Sequence, residues 1–246
     1  MSSASPAPLR AVFFDAGNTL IRMDYAAMAA ALGAHGAAVD PERLERAEWR
    51  ARVRVDADLL ARPESTESSG VGERYVTYLL DEAGVRDPRV VGALLAWRRR
   101  YNPPLGLWTA AAPRAAEAVR LARRAGLRTG VISNSNGTVR SVLASLGLAD
   151  HLDFVLDSHE VGVEKPDPRI FRLALERAGV TAAEAAYIGD LYSVDVLGAR
   201  GAGLAAVLLD PGGCWGRRDC PRAPDALAAV RRLLEGAGDP ATPSAG

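Results

Sequence analysis

Short apolar runs alternate with longer helical patterns along most of the chain. AVFFD (11–15), LRTGVIS (127–133), LDFVLDS (152–158), AAYIGD (185–190) and LAAVLLD (204–210) are bounded by Gly, Ser, Asn or Asp. Runs of this length with no polar alternation predict strands buried on both faces, as in a parallel sheet. Between them, 113–126, 138–148, 168–179, 193–203 and 223–236 carry apolar residues at helical spacing. The first of these opens on Pro and stops on Gly, as helices do. Strand–helix alternation predicts an α/β fold, a doubly wound, parallel, five-stranded, Rossmann-like sheet.

One long stretch breaks the alternation. From 22 to 105 no convincing strand occurs, only helical patterns near 24–37, 40–61, 70–84 and 87–101. The expected organisation is a sheet domain of 10–21 and 106–236 with an all-helical insert, 22–105, and flexible tails at 1–9 and 237–246. Trp49, Tyr75 and Trp97 fall on the helical patterns and read as helix-packing residues.

Composition narrows the partners. The chain has 246 residues, with 30 basic and 30 acidic side chains, a balance that offers nothing to nucleic acid or an anionic membrane. No apolar stretch approaches the ~20 residues a bilayer requires, and the opening MSSASPAPLR lacks a signal-peptide core. Two cysteines, Cys214 and Cys220, match no redox or zinc spacing, so a reduced, cytoplasmic setting is expected. All the basic residues but one are arginine. The exception, Lys165, marks a position where an amine is needed.

In a parallel sheet all strand C-termini share one edge, where ligands sit. Four polar clusters fall there: Asp15 after the first strand, Ser133-Asn134 after the second, Lys165 in GVEKPDP after the third, and Asp190 after the fourth, with Asp195 a helical turn beyond. Asp15 is a carboxylate placed to attack. Asp15 and Asp190 together offer hard oxygen ligands suited to Mg²⁺. Ser133 supplies a hydroxyl and Lys165 a compact positive charge for phosphoryl oxygens. Backbone N–H groups of the turn Ala16-Gly17-Asn18-Thr19 offer an anion cradle. Together these move a phosphoryl group from a small phosphorylated substrate to a carboxylate and then to water.

The segments FFDAGNTL, VISNS, EKPDPRIF and IGDLYSVD resemble, in order and separation, the four motifs of the haloacid dehalogenase superfamily of hydrolases. The stretch DFVLDSHEVGVEKPDPRIFRLAL is similar to a branch of haloacid dehalogenase-like proteins that often lack the second acid of the first motif. The resemblance implies that the insert is a helical cap, that Asp15 is nucleophile and metal ligand, and that Gly17 offers its carbonyl to Mg²⁺. Asp190 would complete the metal shell, Ser133 and Lys165 would hold the transferring group, Thr19 and Asn134 would position the loop and cradle, and Asp195 would act from outside the metal shell.

Gly17 departs from the phosphatase pattern, which has an acid there to protonate the leaving alcohol. Acid–base help is worth ~10²–10⁴-fold. Three readings therefore stand: a phosphatase that is slow or borrows an acid from the insert (Asp24, Asp56 and Asp58 are candidates), a 2-haloacid dehalogenase-type hydrolase, or an impaired fold kept for binding. Phosphonate cleavage through a cap lysine is closed, because Lys165 is the only lysine. His35, His151 and His159 lack metal-ligand spacing. GARGAG (198–203) reads as a helix stop, and PGGCWGRRDCP (211–221) as a solvated loop.

Overall fold

The computed structural model describes residues 7–101 and 106–238. The elements are β1 (Ala11–Phe14), β2 (Ile21–Met23), α1 (Tyr25–Ala34), α2 (Pro41–Ala61), α3 (Ser69–Glu82), α4 (Pro88–Tyr101), β3 (Trp108–Ala111), α5 (Ala115–Arg124), β4 (Arg128–Ser133), α6 (Val139–Ser145), β5 (Phe154–Asp157), α7 (Ser158–Val161), α8 (Pro168–Ala178), β6 (Ala185–Gly189), α9 (Leu197–Gly201), β7 (Ala205–Leu209), β8 (Arg222–Ala223) and α10 (Ala226–Gly238). Of the expected tails, 1–6 and 239–246 lie outside the described residues.

The main sheet runs β5-β4-β1-β6-β7-β8, all parallel. It holds the five expected strands and a sixth, β8, whose two residues are too short a run to signal a strand. Side chains alternate between two helical layers. Val12 and Phe14 pack with α5, α6 and α10, whereas Ala11 and Phe13 pack with α8 and α9. All four are fully buried, and a large apolar side chain buried this way contributes roughly 1.5–3 kcal/mol. Such burial fixes β1 at the centre of the sheet, between β4 and β6. The chain reverses its direction of growth there, so the crevice opens at the end of β1.

Between β2 and β3 lie α1–α4, which bury their own cluster around Leu44, Leu79, Leu80 and Leu94. The expectation of no strand near this insert needs correcting. β2 and β3 form a two-stranded antiparallel sheet that carries the chain into and out of the helices, and Met23 pairs with Trp108. Three apolar-polar-apolar residues are too few for a period to register. Asp40 and Ser68 cap α2 and α3 through their side chains, on the NH groups of Arg43 and Val71. The loop 211–221 is also less solvated than expected, since Trp215 is buried against the α8–α9 layer and Arg218 lies over its ring. Among the described residues no helix is long and apolar enough to cross a membrane.

Candidate active site

The ends of β1, β4 and β6 and the loop before α8 converge as their shared edge requires. Asp15, Gly17, Ser133, Asn134, Lys165, Asp190 and Asp195 all line one cavity of about 530 Å³, a size typical of small-molecule sites.

Lys165 is the hub of the floor. Its Nζ donates to Asp15 Oδ1 at 2.6 Å, Asp195 Oδ1 at 2.8 Å and the Tyr187 hydroxyl at 2.9 Å. All three ammonium hydrogens are thereby used. Asn134 fixes the backbone behind it, accepting from the Lys165 NH at 2.8 Å and donating to the Lys165 carbonyl at 2.9 Å. Asp15 is thus pinned through Oδ1, with Oδ2 turned to the side of Gly17. The Ser133 hydroxyl makes only a long bond, 3.3 Å, to the Asn134 carbonyl and remains available to a ligand.

Asp195 has no oxygen to spare. Its Oδ1 takes Lys165 and Tyr187, and its Oδ2 accepts from the NH groups of Asp190 and Leu191 at 3.0 and 2.9 Å. The backbone that allows this is a π-type turn, Tyr192–Val196, in place of the first turn of the helix expected over 193–203. Gly189 also matters here, since a Cβ on it would lie 2.4 Å from the Asp195 carboxyl carbon.

Asp190 receives Asn18 Nδ2 at 3.1 Å and faces Arg52 Nη1 at 3.2 Å, both through Oδ2. Among the described residues its Oδ1 takes no hydrogen bond. Oxygens of Asp15, Asp190 and Asp195 lie within 4.8 Å of one another. Burial, moderated by Lys165 and reinforced by Asp195, pushes the Asp15 carboxyl up to about 6. Burial also raises Asp190, against the opposing charge of Arg52. Burial works against the charge on Lys165, but Asp15 and Asp195 outweigh it and hold the ammonium above its ordinary value. Three carboxylates facing one ammonium and one guanidinium, itself shared with Glu48, leave an excess of negative charge. Hard oxygen donors with that excess fit Mg²⁺ well.

Two residues of the turn after β1 stand beneath the cavity. Ala16 and Thr19 are buried and line no part of the cavity. The Ala16 carbonyl accepts from the NH groups of Thr19, Leu20 and Ile21, so both residues shape the turn from beneath. At Gly17, a Cβ would sit 3.4 Å from Trp108 Nε1, so the indole stands against the space that a longer side chain would enter. Asn18 takes the left-handed conformation (φ 53°) that asparagine tolerates, and its amide accepts from Trp108 Nε1 at 3.4 Å.

The insert forms the roof. None of its three candidate acids faces the cavity. Asp24 caps α1 on the Ala27 NH, Asp56 accepts from the NH and hydroxyl of Ser193 at 2.7 Å each, and Asp58 accepts from the Tyr78 hydroxyl. The acid that does line it is Glu67, in the loop before α3. Desolvation in the cleft, then the charges on Glu164, Asp157 and Asp15, raise its carboxyl above the usual range. The neighbouring Thr66 and Ser65 tie that loop to the floor, through Asn134 Nδ2 at 2.9 Å and Glu164 Oε1 at 2.9 Å.

Sequence reading also missed a buried polar chain that joins roof to floor. Arg52 is 3 % exposed and Glu48 fully buried. Glu48 binds Arg52 and accepts from Tyr75, whose hydroxyl receives Asn18 Nδ2 at 3.0 Å. Tyr75 therefore faces the site, beyond the packing role its helical position suggested. Glu48 and Arg52 at i and i+4 inside α2 were the only advance signal.

Comparison with known proteins gives this geometry a family. The profile of haloacid dehalogenase-like hydrolases matches residues 9–203. The chain belongs to that family. It is similar to human haloacid dehalogenase-like hydrolase domain-containing protein 3, with 32% identity over 209 residues and 82% of each chain covered. It also resembles the phosphoserine phosphatase of Thermus thermophilus, at 42% identity over 144 residues, 57% of this chain and 55% of that protein. Among solved structures, the Bacillus subtilis putative HAD-hydrolase YfnB bound to magnesium shares the fold, with TM-score 0.61, 18% identity, and 93% and 100% of the two chains covered.

Proposed function

We propose that this hydrolase is a Mg²⁺-dependent phosphohydrolase of small phosphorylated metabolites, working in the cytoplasm through a covalent intermediate on Asp15. The observation that carries the reading is the floor itself. It holds a nucleophile pinned by the single lysine, beside a second carboxylate with a free oxygen, in a metabolite-sized cavity. Relatives that include a phosphoserine phosphatase support it.

Asp15 attacks phosphorus as the bond to the leaving oxygen breaks, giving an aspartyl phosphate and an alcohol. Water then cleaves the acyl phosphate, releasing phosphate and restoring Asp15. Lys165 holds the carboxylate in line and, with Ser133, faces the oxygens where charge accumulates. Asp15, Asp190 and the Gly17 carbonyl would hold Mg²⁺, which when bound offsets the repulsion between carboxylate and phosphate. Asp195 keeps Lys165 and the Asp190 backbone in place from outside that shell. The helical insert, residues 22–105, acts as a cap that excludes water and shapes the pocket. With glycine at 17 the alcohol leaves without a proton from that position, so good leaving groups react best.

The test is hydrolysis of p-nitrophenyl phosphate and a panel of metabolite phosphates, with Mg²⁺ or with EDTA. Wild type should act only with the metal, Asp15→Asn should lose at least ~10³-fold, and beryllium fluoride with Mg²⁺ should form a complex that needs Asp15. Silence across the panel, or halide release from a 2-haloacid in EDTA, would overturn the reading.

A further inference from the structure

The roof of the cavity holds one cation that neither the floor chemistry nor the helical packing uses. Arg98, on α4, lines the cavity with the Asp15–Lys165 cluster. Among the described residues its Nε is buried without a hydrogen-bond partner and its guanidinium forms no ion pair. The adjacent Arg99 differs, pairing with Glu73 at 2.8 Å and satisfying that carboxylate. Glu73, and more weakly Glu67, are near enough to Arg98 to be felt, but neither forms an ion pair with it among the described residues. Across from Arg98, Gly72 sits inside α3, although glycine inside a helix costs about 0.5–1 kcal/mol relative to alanine. A Cβ there would come within 2.5 Å of Arg98 Nη2 and 3.0 Å of Nη1. The glycine thus makes the berth in which the guanidinium lies.

Arg98 is partly buried, and a guanidinium drawn out of water without an ion pair is unfavourable unless something completes it. Its planar fork matches a carboxylate or a phosphate through two parallel bonds. Resting on the phosphohydrolase reading, we infer that Arg98 is a second anion subsite. The preferred substrate is then a phosphomonoester bearing another anionic group at its far end, a carboxylate or a second phosphate. The reacting phosphate sits at Asp15 and Lys165, and the distal anion reaches up to Arg98. Because that contact is the same in ground and transition states, it acts on KM more than on kcat.

Two matched pairs test it. Phosphoserine and phosphoethanolamine differ by a carboxylate, and fructose 1,6-bisphosphate and fructose 6-phosphate by a phosphate. Wild type should prefer the doubly anionic member of at least one pair, and which pair identifies the group. Arg98→Gln should cut kcat/KM for that member ~10–10²-fold more than for its partner, the value of a charged hydrogen bond, with the change in KM. Arg98→Lys should recover part of the preference. Gly72→Ala, which displaces the guanidinium and keeps its charge, should lose part of it, with thermal melting as the folding control. No preference in wild type, or an equal fall on both members, overturns the subsite. If no ester is turned over, the phosphohydrolase reading fails by itself. Calorimetric binding of the same pairs to Asp15→Asn protein then decides: an Arg98-dependent preference supports the subsite, and equal binding overturns it.

Discussion

The floor and the roof of the cavity are built on opposite principles. On the floor the two groups that hold the others in place, Lys165 and Asp195, are over-determined. Lys165 has three acceptors, and Asp195 has two donors on each oxygen. On the roof two charged side chains that face the cavity are sparsely held, Arg98 unpaired and Glu67 reaching no cation among the described residues. On the proposed function, the difference corresponds to a division of labour. Chemistry requires reacting atoms held within fractions of an ångström, which the rigid ends of buried strands supply. Selection among substrates requires groups that are completed only by the ligand, and these sit on helices and loops that can vary without disturbing the sheet.

The sharpest way to break this contrast is to remove a cation from each side of the interface. Lys165→Met leaves Asp15 and Asp195 facing each other in a buried site. Breaking such a pair costs ~3–5 kcal/mol, and urea unfolding of the metal-free protein should show that loss. Arg52→Gln is the counterpart from the insert. It strands Glu48, which is fully buried, and leaves Asp190 without its guanidinium. A loss of similar size, about 3 kcal/mol or more, is expected. Adding Glu48→Gln should recover part of it, because the uncompensated charge is then gone. A loss below about 1 kcal/mol for Arg52→Gln would mean that the insert does not share the floor's electrostatics.

How far these regions were legible in the sequence follows the same division. Asp15, Ser133 and Asp190 each end a buried apolar run, and Lys165 follows another, so period and strand direction alone bring them to one edge. Lys165 stood out further as the single lysine. Arg52 and Arg98 had no such mark. They are two of many arginines on amphipathic helices, and only the three-dimensional packing of α2, α3 and α4 separates them from solvated neighbours such as Arg46. Asp24, Asp56 and Asp58 were proposed for their charge alone, and each is spent on a cap or a packing bond. Glu67 escaped because the α2–α3 loop has no periodicity to say which of its side chains turns inward.

Gly17→Asp sharpens the comparison at the point where roof meets floor. The new Cβ fits against Trp108 Nε1 at 3.4 Å, an ordinary contact, and the indole must move aside for the carboxyl. A proton donor restored there should raise hydrolysis of alkyl phosphates by up to ~10²-fold and of aryl phosphates much less, since only the poor leaving group needs the proton. Equal effects on both esters would show that protonation is not what the glycine withholds. Trp108→Phe in the same background should enlarge the gain if the indole is the obstacle.

The smallest effect concerns the strap between the two regions. Thr66 and Asn134 share one hydrogen bond across the cavity mouth, at 2.9 Å, while Asn134 also clasps the Lys165 backbone through two more. Thr66→Ala removes only the strap, a partly exposed bond worth about 1 kcal/mol, and leaves the clasp intact. It should barely change unfolding yet raise amide exchange in the α2–α3 loop, because local opening there is governed by few contacts. Asn134→Ala removes strap and clasp together, freeing the Lys165 backbone, and should lower kcat as well as loosen the loop. If Thr66→Ala lowers kcat as much as Asn134→Ala does, the roof takes part in the chemistry and the division of labour is wrong.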